Sequence, residues 1–138
     1  MRWHLDTDIV VSCLRGNLAV FEKIQANVPN IYIDAIVLAE LLYGVHLSDH
    51  YEKNLRRLNE FLLLAHVIPF DEACSETYAV LRARLRAIGR TANDADLWIA
   101  SVAMSRNSIL VTHNLKHFEI IEGLELEDWL VMPGNPKD

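Results

Sequence analysis

Three carboxylates stand out by the residues around them. Asp6 closes the short segment Trp3-His4-Leu5, Glu40 is set in Ile36-Val37-Leu38-Ala39-Glu40-Leu41-Leu42-Tyr43, and Asp96 lies in Asp94-Ala95-Asp96-Leu97-Trp98-Ile99-Ala100. A carboxylate in apolar surroundings is costly unless it is paired, caps a helix or holds a metal. Oxygen ligands gathered from separate elements are what a hard divalent cation such as Mg²⁺ or Mn²⁺ takes. Such a cation activates a water and offsets charge on a phosphoryl transition state. Each acid also has a plainer explanation. Asp6 suits the N-cap of a following helix, Glu40 the solvated stripe of its helix, and Asp96 the first turn of a helix, where the dipole favours an anion. Asp94 and Asp96, two residues apart, point to different sides of a helix. Asp96 is then the candidate ligand and Asp94 a cap or a supporting group. Thr112 and Asn114, after the apolar Ile109-Leu110-Val111, can hydrogen-bond a ligating carboxylate or a bound water, or simply form a polar turn.

The elements that must position these residues alternate. Trp3–Asp6 is expected as a first strand, followed by helices over 8–14 and 18–25. Ile31–Ile33 follows as a strand, rich in β-branched and aromatic residues. Asp34 is placed to cap a helix through Tyr43 that stops near Gly44. Tyr51–Leu64 has Leu55, Leu58, Phe61 and Leu62 at helical spacing. Val67-Ile68 is a short strand ended by Pro69, and Asp71 can cap a helix that stops at Gly89. Asn93 or Asp94 can cap a helix over 95–105. Ser108–Val111 is a buried strand, and Leu124–Leu126 a last short one. Strand-helix alternation throughout predicts an α/β/α sandwich around a mainly parallel sheet. Ligands of such sheets bind outside the carboxyl ends of the strands, where Asp6 and Thr112 fall.

The chain has 138 residues, 51% of them apolar. That fits one domain, expected over 1–132 with a frayed tail over 133–138, and it excludes disorder. No signal-peptide segment or run of about 18 apolar residues is present, so a cytoplasmic location is expected. Cys13 and Cys74 lack metal or redox spacing and read as reduced thiols. The net charge of −6 argues against a general nucleic-acid coat protein. It leaves room for an enzyme whose acids sit in a cation-filled pocket, given a local basic patch. Arg82, Arg86 and Arg90 recur at intervals of four and are one such patch; Lys53, Arg56 and Arg57 are another. Either can hold RNA phosphates or be a solvated helix face. His46 and His50, like His113 and His117, are spaced four apart, but no HExxH or cysteine partner supports zinc.

Taken in order, four segments resemble the PIN domain and, within it, the VapC-type toxins. They are Leu5-Asp6-Thr7-Asp8-Ile9, Ala39-Glu40-Leu41-Leu42-Tyr43-Gly44, Asp94-Ala95-Asp96-Leu97-Trp98-Ile99-Ala100, and Leu110-Val111-Thr112-His113-Asn114 with His117-Phe118. The ending Gly123–Trp129 agrees as well, so the resemblance covers nearly the whole chain. It implies a PIN-like α/β/α fold and a Mg²⁺-dependent endoribonuclease, with Mn²⁺ an alternative. Asp6 and Asp96 would be the principal metal ligands, Glu40 would join directly or through water, and Thr7, Asp94, Thr112 and Asn114 would support them. It further implies a homodimer, a cognate antitoxin whose tail enters the active-site groove, and cleavage of structured RNA, often tRNA. The sequence departs from the family pattern at Asn114, where many PIN domains carry a fourth acid, which puts a stable second metal site in doubt. It departs also at Asp8, where the family usually has Asn: that acid adds negative charge nearby or caps the helix.

The expected chemistry is in-line attack of a metal-activated water, leaving a 5′-phosphate and a 3′-hydroxyl. Two other classes compete. A catalytically weak PIN-fold module would only bind RNA or protein, against the retention of all three acids. A phospho-acceptor domain would need a Lys after a late strand, where Thr112 stands.

Overall fold

The computed structural model describes residues 1–130. The expected tail over 133–138, and the domain boundary at 132, lie outside the described residues. Five parallel strands form one sheet: β1 (Trp3–Leu5), β2 (Ile31–Asp34), β3 (His66–Ile68), β4 (Ile109–Val111) and β5 (Leu126–Glu127), in spatial order β3-β2-β1-β4-β5. The helices α1 (Thr7–Leu14), α2 (Leu18–Ala26), α3 (Ala35–Leu47), α4 (Tyr51–Leu62), α5 (Glu72–Ala87), α6 (Asp94–Ser105) and the short α7 (Leu115–Phe118) flank it. This is the predicted α/β/α sandwich. No described helix is long and apolar enough to cross a membrane.

Parallel strands covered on both faces must be apolar along their length. β4 meets this with Ile109, Leu110 and Val111, all buried. The central β1 is less regular, since His4 is fully buried. Its Nε2 lies 2.5 Å from Asp34 Oδ2 on the neighbouring β2. The order of strands puts a switch point between β1 and β4: the chain leaves β1 toward β2 on one side and returns through β4 on the other.

The helix borders follow from caps. Asp6, Asn17, Asp34, Asp71 and Asn93 each accept a backbone N–H with the side chain at an N-terminus. Asn93, not Asp94, caps α6. Three expectations are corrected. The helix carrying Glu40 does not stop at Gly44 but runs to Leu47. Val37, Leu41 and Val45 keep one apolar face buried across it, and nothing crowds Gly44. It ends where the N–H and hydroxyl of Ser48 both turn back to the Val45 carbonyl, at 3.1 and 2.7 Å. The last strand is shifted to Leu126–Glu127, because Gly123 takes a left-handed turn (φ 86°) and Leu124 N–H returns to the Ile121 carbonyl. Finally, the polar segment after β4 is not a turn alone: it leads into α7, anchored by the fully buried Phe118.

Candidate active site

The first acid is fixed by two jobs at once. Asp6 leaves β1, its N–H bonding the Val111 carbonyl of β4 at 2.9 Å, and caps α1. Its Oδ1 accepts the Thr7 N–H and its Oδ2 the Thr112 hydroxyl, both at 2.8 Å. Only 6% of Asp6 is exposed. Burial, followed by the neighbouring Asp8 carboxylate and then Asp96, pushes its pKa up to about 7, against the hydrogen bonds from Thr112 and Thr7. The cap and ligand explanations of Asp6 are thus compatible.

Thr7 ties a second element in. Its hydroxyl donates to Glu40 Oε1 at 2.6 Å, across 33 residues of sequence. Glu40 is exposed on α3, on the solvated stripe, yet it is held at the edge of the Asp6 site. Asp96, in the first turn of α6, is partly buried. Desolvation raises its pKa, opposed by His117, whose Nδ1 lies 3.3 Å from Asp96 Oδ2. Thr112 is fully buried. Its hydroxyl also accepts the Asn114 N–H at 3.1 Å, so it is a relay that orients Asp6 and the strand-end loop together. The Asn114 side chain makes no cap bond, although it stands at the start of α7.

Asp8 does not cap α1, because Asp6 does. Its Oδ2 accepts the His113 N–H at 3.0 Å, and its Oδ1 is buried without a partner. Burial foremost raises the Asp8 pKa as well. Asp94 lines a cavity with Arg82, Arg86 and Arg90. Lys53, Arg56 and Arg57 belong to α4, where Arg57 lines two cavities: one of about 510 Å³ between α1, α2 and α4, and one of about 280 Å³ between α1, α3 and α4 that reaches Glu40.

The histidines that sequence reasoning missed as site residues separate into different roles. His113 Nδ1 lies 2.9 Å from Asp128 Oδ2, while His117 goes to Asp96. The pair spaced four apart therefore meets two different carboxylates. Their position just past a strand end, beside Thr112, was the available signal. Among the described residues, no three His, Cys, Asp or Glu side chains are gathered closely enough to hold a metal by themselves. The oxygen-only set of Asp6, Glu40 and Asp96 nevertheless suits a hard cation. Burial raises the pKa of Asp6, Asp8 and Asp96, repulsion from Asp8 and Asp96 adds to it at Asp6, and Asp8 Oδ1 is left without a partner.

Comparison with known proteins settles the family. The PIN domain model matches residues 4–123. The chain belongs to the PIN-domain family. Within it, this PIN domain is 38% identical over 136 residues to Ribonuclease VapC2 of Rickettsia felis, covering 94% of this chain and 98% of that one. It is 34% identical to the tRNA(fMet)-specific endonuclease VapC of Shigella flexneri, at the same coverage. Among solved structures, VapBC2 from Rickettsia felis, bound to a DNA fragment from its promoter, superposes with a TM-score of 0.87 at 37% identity over 94% of this chain and 99% of that one. The DNA-bound VapBC of Salmonella typhimurium gives 0.88 at 31% identity, over 94% and 98%. The PIN-like sandwich and the VapC kinship expected from the sequence motifs are both borne out.

Proposed function

We propose that this PIN domain is a metal-dependent endoribonuclease, the toxin of a bacterial toxin–antitoxin pair, acting on structured RNA such as tRNA. The observation that carries the reading is Asp6: a buried carboxylate whose pKa is raised to about 7 at the carboxyl end of the central strand, beside Asp8 and Asp96. The VapC relatives named as ribonucleases, and a solved relative from Mycobacterium tuberculosis described as a member of the VapBC family of toxin–antitoxin systems, support it.

Asp6 and Asp96 would be the principal ligands of Mg²⁺ or Mn²⁺, with Glu40 beside them. The bound cation supplies an activated water and neutralises charge developing on the phosphate. The protein's own work is orientation. Thr112 pins one Asp6 oxygen, the Thr7 N–H pins the other, and the Thr7 hydroxyl sets Glu40. His117 steadies Asp96. A scissile phosphate approaching without a cation would meet only repulsion from these acids. The cavity between α1, α3 and α4, which ends at Glu40, is the proposed route for an antitoxin tail into the site.

The test is cleavage of total tRNA by antitoxin-free protein, with and without Mg²⁺ or Mn²⁺, in wild type and Asp96→Asn. Expected is metal-dependent cleavage leaving 5′-phosphate ends, reduced on the order of 10²–10³-fold in the variant, the scale of removing one electrostatic stabiliser of a transition state. Metal-independent cleavage, or 2′,3′-cyclic phosphate products, would overturn the mechanism. Folded protein that binds RNA but cleaves none of it would make this a binding module.

A further inference from the structure

Outside the acid group, Arg82, Arg86 and Arg90 line a cavity of about 300 Å³ with Thr91, Asp94 and Leu97. The three arginines are not a simple helical stripe. Arg82 and Arg86 are one turn apart on α5, which ends at Ala87. The chain then reverses: Gly89 adopts φ 70°, its N–H bonds the Arg86 carbonyl at 3.0 Å, and the Arg90 N–H reaches back to the Leu85 carbonyl at 2.8 Å. This Schellman closure folds Arg90 back beside Arg86. The next residues lead directly into α6, whose first turn puts Asp94 in the cavity wall and Asp96 in the acid site.

The charges in this cavity are unspent. The protein is acidic overall, with a net charge of −6, yet no described carboxylate lies within ion-pairing distance of Arg82, Arg86 or Arg90, Asp94 included. Arg82 donates instead to the Tyr78 hydroxyl at 2.7 Å. Guanidinium groups gathered this way repel one another until an anion with several acceptor oxygens joins them. Phosphate matches their fork geometry best.

We propose that this cavity seats a backbone phosphate of the RNA, flanking the scissile one, so that α5 and the turn at Gly89 position the substrate over the Asp96 end of the site. The assignment rests on the nuclease reading. Phosphate contacts of this kind fix register without reading bases.

The test is binding of a fluorescent single-stranded RNA oligonucleotide in chelator, across a salt series, for wild type, Arg86→Ala/Arg90→Ala and Arg84→Ala. Arg84 lies on the same helix but lines a different cavity, with Leu81 and Ile88. Expected for the double variant is binding at least about tenfold weaker at low salt, with a log K against log salt slope shallower by about 0.7, the share of one neutralised phosphate on a single strand. In the tRNA assay its KM rises while kcat is retained. Arg84→Ala should stay near wild type. An unchanged slope in the double variant, or an equal weakening in Arg84→Ala, overturns the subsite, and the former result would leave the cavity to an acidic peptide. Should the double variant melt early, Arg86→Gln carries the same comparison. Absent cleavage with arginine-dependent binding would fault the nuclease reading and support the subsite. Intact cleavage with unchanged KM and slope would do the reverse.

Discussion

Asp34 and Asp6 occupy equivalent places on neighbouring parallel strands and part company at one oxygen. Each is buried, and each caps the helix that follows, accepting a backbone N–H at 2.8 Å with Oδ1. The Oδ2 of Asp34 meets the buried His4 Nε2 at 2.5 Å. The Oδ2 of Asp6 meets only the neutral Thr112 hydroxyl, with Asp8 and Asp96 nearby. The same strand-to-helix device is therefore closed on β2 and left open on β1. A buried carboxylate is a site candidate not because it is buried but because its second oxygen meets no side chain that could balance its charge.

Four experiments test that contrast. Replacing the closed carboxylate should cost most: Asp34→Ala strands His4 in the core and removes a cap, and breaking a buried pair costs about 3–5 kcal/mol. Urea unfolding should show it, whereas a change under about 1 kcal/mol would mean that the pair is not structural. At Asp6 the effect has the opposite sign. Its carboxyl holds its proton more tightly in the folded state, at about 7 against an ordinary 3.8. Metal-free protein is then most stable below the unfolded value and loses stability as pH rises through about 7, by a few kcal/mol at about 1.4 per unit. Melting in chelator from pH 4.5 to 8 should show the decline, and Asp6→Asn should flatten it. A wild-type profile that rises across this range contradicts the open-site description. Thr112→Val removes the one side-chain donor to Asp6 Oδ2. Activity or metal affinity should drop about 10–100-fold, as for other groups that orient a ligand. Undiminished metal binding in this variant would show that Asp6 needs no help from β4. The smallest change is expected from Asp8→Asn, which removes a nearby negative charge. The midpoint of the Asp6 profile should move to lower pH, and an unmoved midpoint would leave burial and Asp96 as its causes.

Much of this is legible from residue type and local spacing. The apolar runs at Ile31–Ile33 and Ile109–Val111, with caps at Asp34 and Asp71, mark strands and helices near their true borders. The acids are marked by their apolar neighbours. What spacing cannot supply is convergence, because Asp6 and Thr112 are 106 residues apart and meet only through β1–β4 pairing. Gly44 misleads because local propensity yields to a buried face that continues beyond it. The His4–Asp34 pair is hidden in the sequence because the cap alone explains Asp34. The grouping of the arginines holds for a reason the spacing conceals, since Arg90 joins through a reversed turn instead of a third helical turn.

The β1–β4 pairing also has a consequence in time. Asp6 is among the first residues translated, but its partner oxygen is on Thr112, and Asp96 is carried into place by a helix that must pack beside β4. Chain that stops before β4 has every proposed ligand but lacks the strand that fixes Asp6 through Thr112. A chain released before β4 lacks both the Thr112 hydroxyl that holds Asp6 and the strand against which α6 packs.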